Sequence, residues 1–436
     1  MRRIAWVKRG ATRDTKRCCS MSGAMSREIL SSVANVLLLL WSAVGFVEPC
    51  AAADKWSPAH IVVVILENRS FQEIIDDRDV PYLNALAQQG ALMTRAYFAQ
   101  IPYGIVPSGY SVRLPARPSQ PNYLYLFSGH HQGILPAWFQ DPGSPYVGNA
   151  VNDPGGNRLP GPMLRTPIGI ANSLVPANMR PFSTPNLGAA LLGSGRSFAT
   201  FSESLPYPRY DREGDPSPIA DLYRRKHNPG INWNALGTRP VAEDERKFLL
   251  PAETNLGFAN TTDSHEGSRY RGFAVDAQGN RIGFDSLPTV SIVVPNEQHD
   301  MHSAGKRACD VWLETQIKPY ADWAREHDSL LIVTFDEDGS TNSSHGNAYQ
   351  TGIDRIVTLF YGPAGKVIPG SYDERIDHLN VLATMLDRYG LLEQFKQDFQ
   401  RAHRGAEAEN MAANLRPVRD VFGEGPPLEP IPQSQY

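Results

Sequence analysis

The sequence predicts an α/β fold: a central, mostly parallel sheet flanked by helices on both faces, with long loop insertions. Three observations predict it. Short apolar runs rich in β-branched residues recur along the chain, as in strands covered on both faces. Stretches of helical periodicity lie between them, the alternation expected of a parallel sheet. Glycine and proline are plentiful, 36 and 35 of 436 residues, which marks long irregular connections.

The first strand is His60–Leu66, and it stops abruptly at Glu67-Asn68-Arg69-Ser70. A second run, Thr289–Pro295, leads into Asn296-Glu-Gln-His-Asp-Met-His302. A third, Ser329–Phe335, leads into Asp336-Glu-Asp-Gly-Ser340. Arg355–Tyr361 is a fourth and Ser197–Phe201 a weaker fifth. Helical periodicity covers Pro81–Gln89, Ala304–Glu326 with Pro319 as a break, and Leu379–Leu391 with Asp377 as N-cap and Gly390 near its end. The stretches Gly133–Gly195 and Tyr207–Leu249 are weakly periodic and read as insertions or long loops over the sheet.

Three regions follow. Residues 1–53 read as an export signal: basic residues from Arg2 to Arg17, an apolar stretch from Ile29 to Val47, then Ala51-Ala52-Ala53 as a cleavage site. Met21 and Met25 are alternative starts that would shorten the basic leader. A retained anchor is the rival reading, weakened by Ser31, Ser32 and Asn35. The catalytic domain spans 54–403, and 404–436 reads as a disordered, Pro-rich tail. Export places the protein in the periplasm or outside the cell. Cleavage leaves Cys309 alone of the four cysteines, so no internal disulfide forms, and its helical setting makes it a buried thiol.

A net charge of -4 with no basic stripe gives no electrostatic case for nucleic acid. No stable protein partner is implied either. The chemistry gathers instead behind the strands. Ligands of open α/β sheets bind beyond the carboxyl ends of the strands. Glu67/Asn68, Asp300/His302 and Asp336/Glu337 should therefore converge on one edge. Carboxylates collected without a cation would repel one another, so a divalent metal is expected. Calcium, zinc, magnesium and manganese all remain open. A fourth cluster, Pro118-Ser119-Gln-Pro-Asn122-Tyr123, puts a serine at the start of an apolar helix, where backbone N–H groups favour an anion. Taken alone, Ser119 reads no better than a helix cap.

Glu67-Asn68-Arg69-Ser70-Phe71, Pro118–Tyr123, Asn296–His302 and Phe335–Asp338, in that order, resemble the bacterial phosphoesterase family. That family includes phospholipases C, metal-dependent acid phosphatases and secreted phosphoinositide phosphatases. The resemblance runs from about His60 to about Leu392 and implies an alkaline-phosphatase-like fold. It implies Glu67, Asn68, Ser119, Asp336 and Glu337 as metal ligands, Ser119 also as nucleophile, and His302 as a proton-transfer or phosphate-contacting residue. Asn122, Asp300 and His345 become phosphate-binding or supporting residues. The segment Ser128–Gly133 carries two histidines where one is expected, so either His130 or His131 faces the site, or neither does. The implied reaction is hydrolysis of a phosphate monoester through a phosphoserine. Alternatives are a phospholipase C-type diesterase, a sulfate- or phosphonate-cleaving relative, and a silent phosphate- or lipid-binding protein. The substrate is a phosphorylated small molecule or a phospholipid.

Overall fold

The computed structural model describes residues 55–98, 100–105, 111–115, 119–132, 180–210, 222–234, 237–258, 272–273, 283–302, 304–338, 355–403 and 406–429. Residues 1–53, expected to be an export signal, most of Gly133–Gly195 and His345 lie outside the described residues.

Ten strands are described: β1 (Ile61–Leu66), β2 (Ala91–Tyr97), β3 (Gln100–Ile105), β4 (Ser111–Pro115), β5 (Phe198–Ser202), β6 (Asn255–Gly257), β7 (Val290–Val294), β8 (Leu330–Phe335), β9 (Arg355–Tyr361) and β10 (Gly370–Ile376). Eight form one sheet in the order β10-β2-β9-β8-β1-β7-β5-β6, while β3 and β4 pair apart. Only β9 runs against its neighbours β2 and β8; every other pairing in this sheet is parallel. The mostly parallel α/β sheet expected from the sequence is therefore present.

Strand β1 sits at the centre, with Ile61 opposite Val290 on one side and Leu330 on the other. All six of its residues are buried. Sheet geometry thus carries Glu67, at the end of β1, into the interior rather than to the surface. The three strands β1, β7 and β8 point the same way, so the polar residues behind each meet at one edge.

The helices are α1 (Phe71–Ile74), α2 (Pro81–Gln89), α3 (Ser119–Ser128), α4 (Leu187–Gly193), α5 (Lys306–Trp312), α6 (Lys318–Glu326), α7 (His378–Arg388), α8 (Leu392–Ala402) and α9 (Ala406–Asn414). Helix α2 starts on Pro81, whose missing N–H costs nothing there. Its first turn is capped from α5: Asp310 accepts from the backbone N–H groups of Tyr82 and Leu83 at 3.0 and 2.9 Å. Asp377 caps α7 by accepting from Leu379 N at 2.9 Å. The break expected at Pro319 takes the form of a π-helical turn, Leu313–Ile317, which ends as α6 begins. Cys309 is buried and free, as expected.

Two expectations are corrected. The tail is not disordered from residue 404: α9 and the segment to Leu428 pack on the core, burying Met411, Leu415, Val418, Val421 and Phe422. Arg388, wholly buried, fastens it with two hydrogen bonds to Glu424 at 2.8 and 2.6 Å. Nor is Tyr207–Leu249 merely a loop over the sheet. Its described part folds into 3-10 turns that bury His227, Asn228, Asn232 and Trp233.

Candidate active site

Glu67 is the hub. Its carboxylate is wholly buried and is gripped from three sides. Ser119 Oγ donates to Oε2 at 2.8 Å, Asn68 Nδ2 donates to Oε2 at 2.9 Å, and Tyr123 Oη donates to Oε1 at 2.5 Å. Ser119 is the first residue of α3, so its hydroxyl stands at the N-terminal, positive end of a ten-residue helix. The helix is buried along its whole length, Asn122 included.

Asn68 turns the chain at a positive φ of 52°, a conformation that asparagine tolerates better than most residues. The turn aims its N–H at Asp336 Oδ1, 2.9 Å away. The same oxygen accepts from Glu337 N at 2.6 Å. One carboxylate thereby ties the end of β1 to the end of β8. The loop behind β7 joins them: Glu67 N donates to Asp300 O at 2.7 Å. Asp300 Oδ1 then accepts from His302 N at 2.7 Å. Between these two, buried Met301 holds a φ of 80°, a strained conformation for a bulky side chain and one that tends to occur at functional loops.

A fourth element completes the site. His227 is buried, with Nε2 3.2 Å from Glu67 Oε1 and Nδ1 4.0 Å from Asp300 Oδ2. Its ring stacks on Tyr123, with centroids 5.2 Å apart and planes 9° from parallel. His227, Glu297 and Asp300 offer ligand atoms that all lie within 4.8 Å of one another.

The charges are in conflict without a cation. Burial, and then repulsion from Asp336 and Asp300, push the Glu67 carboxyl well above its ordinary range. Burial drives Asp300 up to about 8, aided by Glu297 and Asp336. His227 is held well below its ordinary value by burial and by nearby Lys226, so it stays neutral. Asp300 Oδ2 and Asp336 Oδ2 are buried and accept no hydrogen bond among the described residues. An acceptor stranded away from water is costly. A divalent cation would satisfy both oxygens and remove the repulsion, so the residues present fit a metal. Oxygen donors from Glu67, Asn68, Ser119, Asp336 and Glu337 suit a hard ion, and His227 adds a nitrogen that zinc and its neighbours accept.

Of the residues expected from sequence, Glu67, Asn68, Ser119, Asp300, Asp336 and Glu337 come together. His302 sits at the margin: its side chain is 42% exposed and its Nδ1 lies 3.5 Å from Glu297 Oε2. The histidine against Glu67 is His227, not His302. His130 and His131 lie beyond the far end of α3, about 14 Å along the helix axis from Ser119. There they stack on each other, and His130 also stacks on His403 at 4.0 Å, away from the carboxylates. His227, Glu297 and Tyr123 were missed. Tyr123 was findable: a four-residue step from Ser119 puts both on one helical face. His227 gave no such signal, because Arg224-Arg225-Lys226-His227 has no periodicity that would announce burial.

A serine at a helix N-terminus, joined to a buried acidic cluster at the carboxyl edge of a mostly parallel sheet, suits a hydrolase acting on phosphoric ester bonds. The comparisons agree. The model of the phosphoesterase family matches residues 74–392. The chain belongs to that family. It is 29% identical over 398 residues to a phosphatidylinositol-3-phosphatase of Mycobacterium tuberculosis (strain ATCC 25618 / H37Rv), covering 91% of this chain and 93% of that one. It is 22% identical over 352 residues to an acid phosphatase of Aspergillus fumigatus (strain ATCC MYA-4609 / CBS 101355 / FGSC A1100 / Af293), covering 78% of this chain and 59% of that one. A solved protein of the alkaline phosphatase superfamily from Vibrio parahaemolyticus aligns at a TM-score of 0.40 and 10% identity, covering 77% of this chain and 67% of that chain.

Proposed function

We propose that this phosphoesterase is an exported, metal-dependent phosphatase that hydrolyses phosphate monoesters through a phosphoserine on Ser119. One observation carries the reading: the Ser119 hydroxyl lies 2.8 Å from Glu67 Oε2, inside a converged set of buried carboxylates that repel one another. Monoesters are favoured over diesters because the relatives bear the names phosphatidylinositol-3-phosphatase and acid phosphatase. Phosphoinositides and small phosphomonoesters are the substrate classes that those names support. Export rests on the basic and apolar leader that ends at Ala53.

Glu67, Asn68, Ser119, Asp336 and Glu337 would hold the cation, with His227, Glu297 and Asp300 as an adjoining donor set. When bound, the ion supplies charge neutralisation at phosphate and a lower pKa for the Ser119 hydroxyl. The protein does the rest. The N-terminus of α3 orients phosphate by its backbone N–H groups. Ser119 Oγ, its proton released to solvent, bonds to phosphorus as the ester P–O bond breaks. The departing oxygen takes a proton, for which His302 at the mouth is the donor. Water then cleaves the phosphoserine, phosphate departs and Ser119 regains its proton.

Ser119→Ala is expected to lower kcat on an aryl phosphate at least about 10³-fold while leaving the unfolding curve close to wild type. Acid quench of the wild type during turnover should yield a phosphoserine at residue 119 by mass spectrometry. Full activity in Ser119→Ala would overturn the nucleophile.

A further inference from the structure

The metal-phosphatase reading leaves open which cation the site prefers, and one side chain bears on that. Ser119 and Tyr123 stand four residues apart on α3 and so share a face. Both spend their hydroxyls on Glu67, one per oxygen: Ser119 on Oε2 at 2.8 Å, Tyr123 on Oε1 at 2.5 Å. The tyrosine is buried, and its hydroxyl donates to Glu67. His227 Nε2 closes the other flank of Oε1 at 3.2 Å. The parallel His227 ring, 5.2 Å from that of Tyr123, holds the tyrosine in place. Oε1 thus takes its hydrogen bond from Tyr123, which stands outside the proposed ligand set, whereas Oε2 takes two, from Ser119 and Asn68, which belong to it.

We propose that Tyr123 is a positioning residue that selects the metal: by occupying Oε1 it restricts Glu67 to a single-oxygen ligand. The inference rests on the metal-phosphatase reading of the same site. Calcium takes six to eight oxygens and commonly uses both oxygens of a carboxylate, whereas the smaller magnesium-like ions keep about six ligands. A Glu67 confined to Oε2 therefore disfavours calcium against a small six-coordinate ion. The tyrosine acts through Glu67 and does not itself meet the substrate.

The test is metal competition on stripped protein, with free Mn²⁺ read by electron paramagnetic resonance and Ca²⁺ as competitor. Wild type should bind Mn²⁺ in preference to Ca²⁺. Tyr123→Phe keeps the ring and its stack but frees Oε1, and the preference should shift toward Ca²⁺ by about tenfold or more, the usual size of effects from partners of metal ligands. A merely structural role would weaken both ions alike and leave their ratio fixed. An unchanged ratio overturns the proposal, and so does a wild type that prefers Ca²⁺. Thermal unfolding checks that the variant folds. Should it not, the wild-type preference decides the matter. A wild type that binds neither ion overturns the metal reading itself along with this inference, whereas an active, metal-binding wild type with an unmoved ratio removes only the role of Tyr123.

Discussion

Replacing Asp336 by asparagine removes one buried negative charge while keeping the shape of the site. Asp336 Oδ1 accepts from Asn68 N at 2.9 Å and Glu337 N at 2.6 Å, and an amide oxygen can accept both. Oδ2 makes no hydrogen bond among the described residues, so the new amide nitrogen displaces no partner. After burial, Asp336 is the largest influence raising the Glu67 carboxyl. Two like charges about 4 Å apart at an effective dielectric of about 20 repel by roughly 4 kcal/mol. Partial protonation of Glu67 relieves some of that, leaving about 1–3 kcal/mol near neutral pH. Metal-free Asp336→Asn should therefore be about 1–3 kcal/mol more stable than metal-free wild type in urea unfolding. Metal at about a hundredfold above its Kd should then raise wild type by about 2.7 kcal/mol and the variant by much less. The order of stabilities inverts between the two conditions. A metal-free variant less stable than wild type would refute the charge-conflict argument, and equal stabilisation of both by metal would refute Asp336 as a ligand.

Two further outcomes are expected. Asp300 has a folded pKa of about 8 against an ordinary 3.8, so its protonated form favours the fold. The Asp300 contribution to metal-free stability should then be full below about pH 4 and fall as pH rises through about 8, a slope that bound metal should flatten; calorimetry from pH 5 to 8 with and without chelator checks it. His403, packed on His130, is held down to about 4 by burial and by His131, against an ordinary 6.5. This contribution works in the opposite direction: it is present above about pH 6.5 and lost as pH falls through about 4, and it is worth about 3 kcal/mol at most. His403→Phe keeps an aromatic ring there and should reduce the acid-side loss measured by unfolding at matched pH values, whereas an unchanged acid limb would show that this stack does not govern it.

The sheet's centre was legible because β1, β7, β8 and β9 are continuous apolar runs, the pattern of strands covered on both faces. The outer strands were not. In β2, Thr94 and Arg95 interrupt the apolar sequence, and β10 reads Gly-Ser-Tyr-Asp-Glu-Arg-Ile, the polar face of an edge. The tail misled for a related reason: its prolines suggest disorder, but Val418, Val421 and Phe422 find a ready apolar surface and Arg388 finds Glu424. Within the site, residues directly behind strands were readable, since the strand end fixes their place. His227 was not, because its burial comes from 3-10 turns seated by contacts distant in sequence. Asn228, for example, donates to Asn255 Oδ1 at 2.8 Å. Assigning histidines by motif spacing therefore favoured His302 and the His130–His131 pair over the residue that touches Glu67.

The same strand that creates the conflict among the carboxylates also makes it tolerable. β1 contributes six aliphatic residues, Ile61–Leu66, each at most 1% exposed. Burying such side chains stabilises by about 1.5–3 kcal/mol each, on the order of 10 kcal/mol for the strand. That exceeds the few kcal/mol lost to two stranded carboxylate oxygens and to repulsion around Glu67. In the metal-free fold, proton uptake by Glu67 relieves part of the repulsion, since its carboxyl is held well above its ordinary range by burial and by Asp336 and Asp300. Cation binding then displaces that proton, so metal affinity should weaken as pH falls. The acid side of activity would be set by this competition. Extra metal should therefore restore acid-side activity; an acid limb that does not respond to added metal would refute the competition at Glu67.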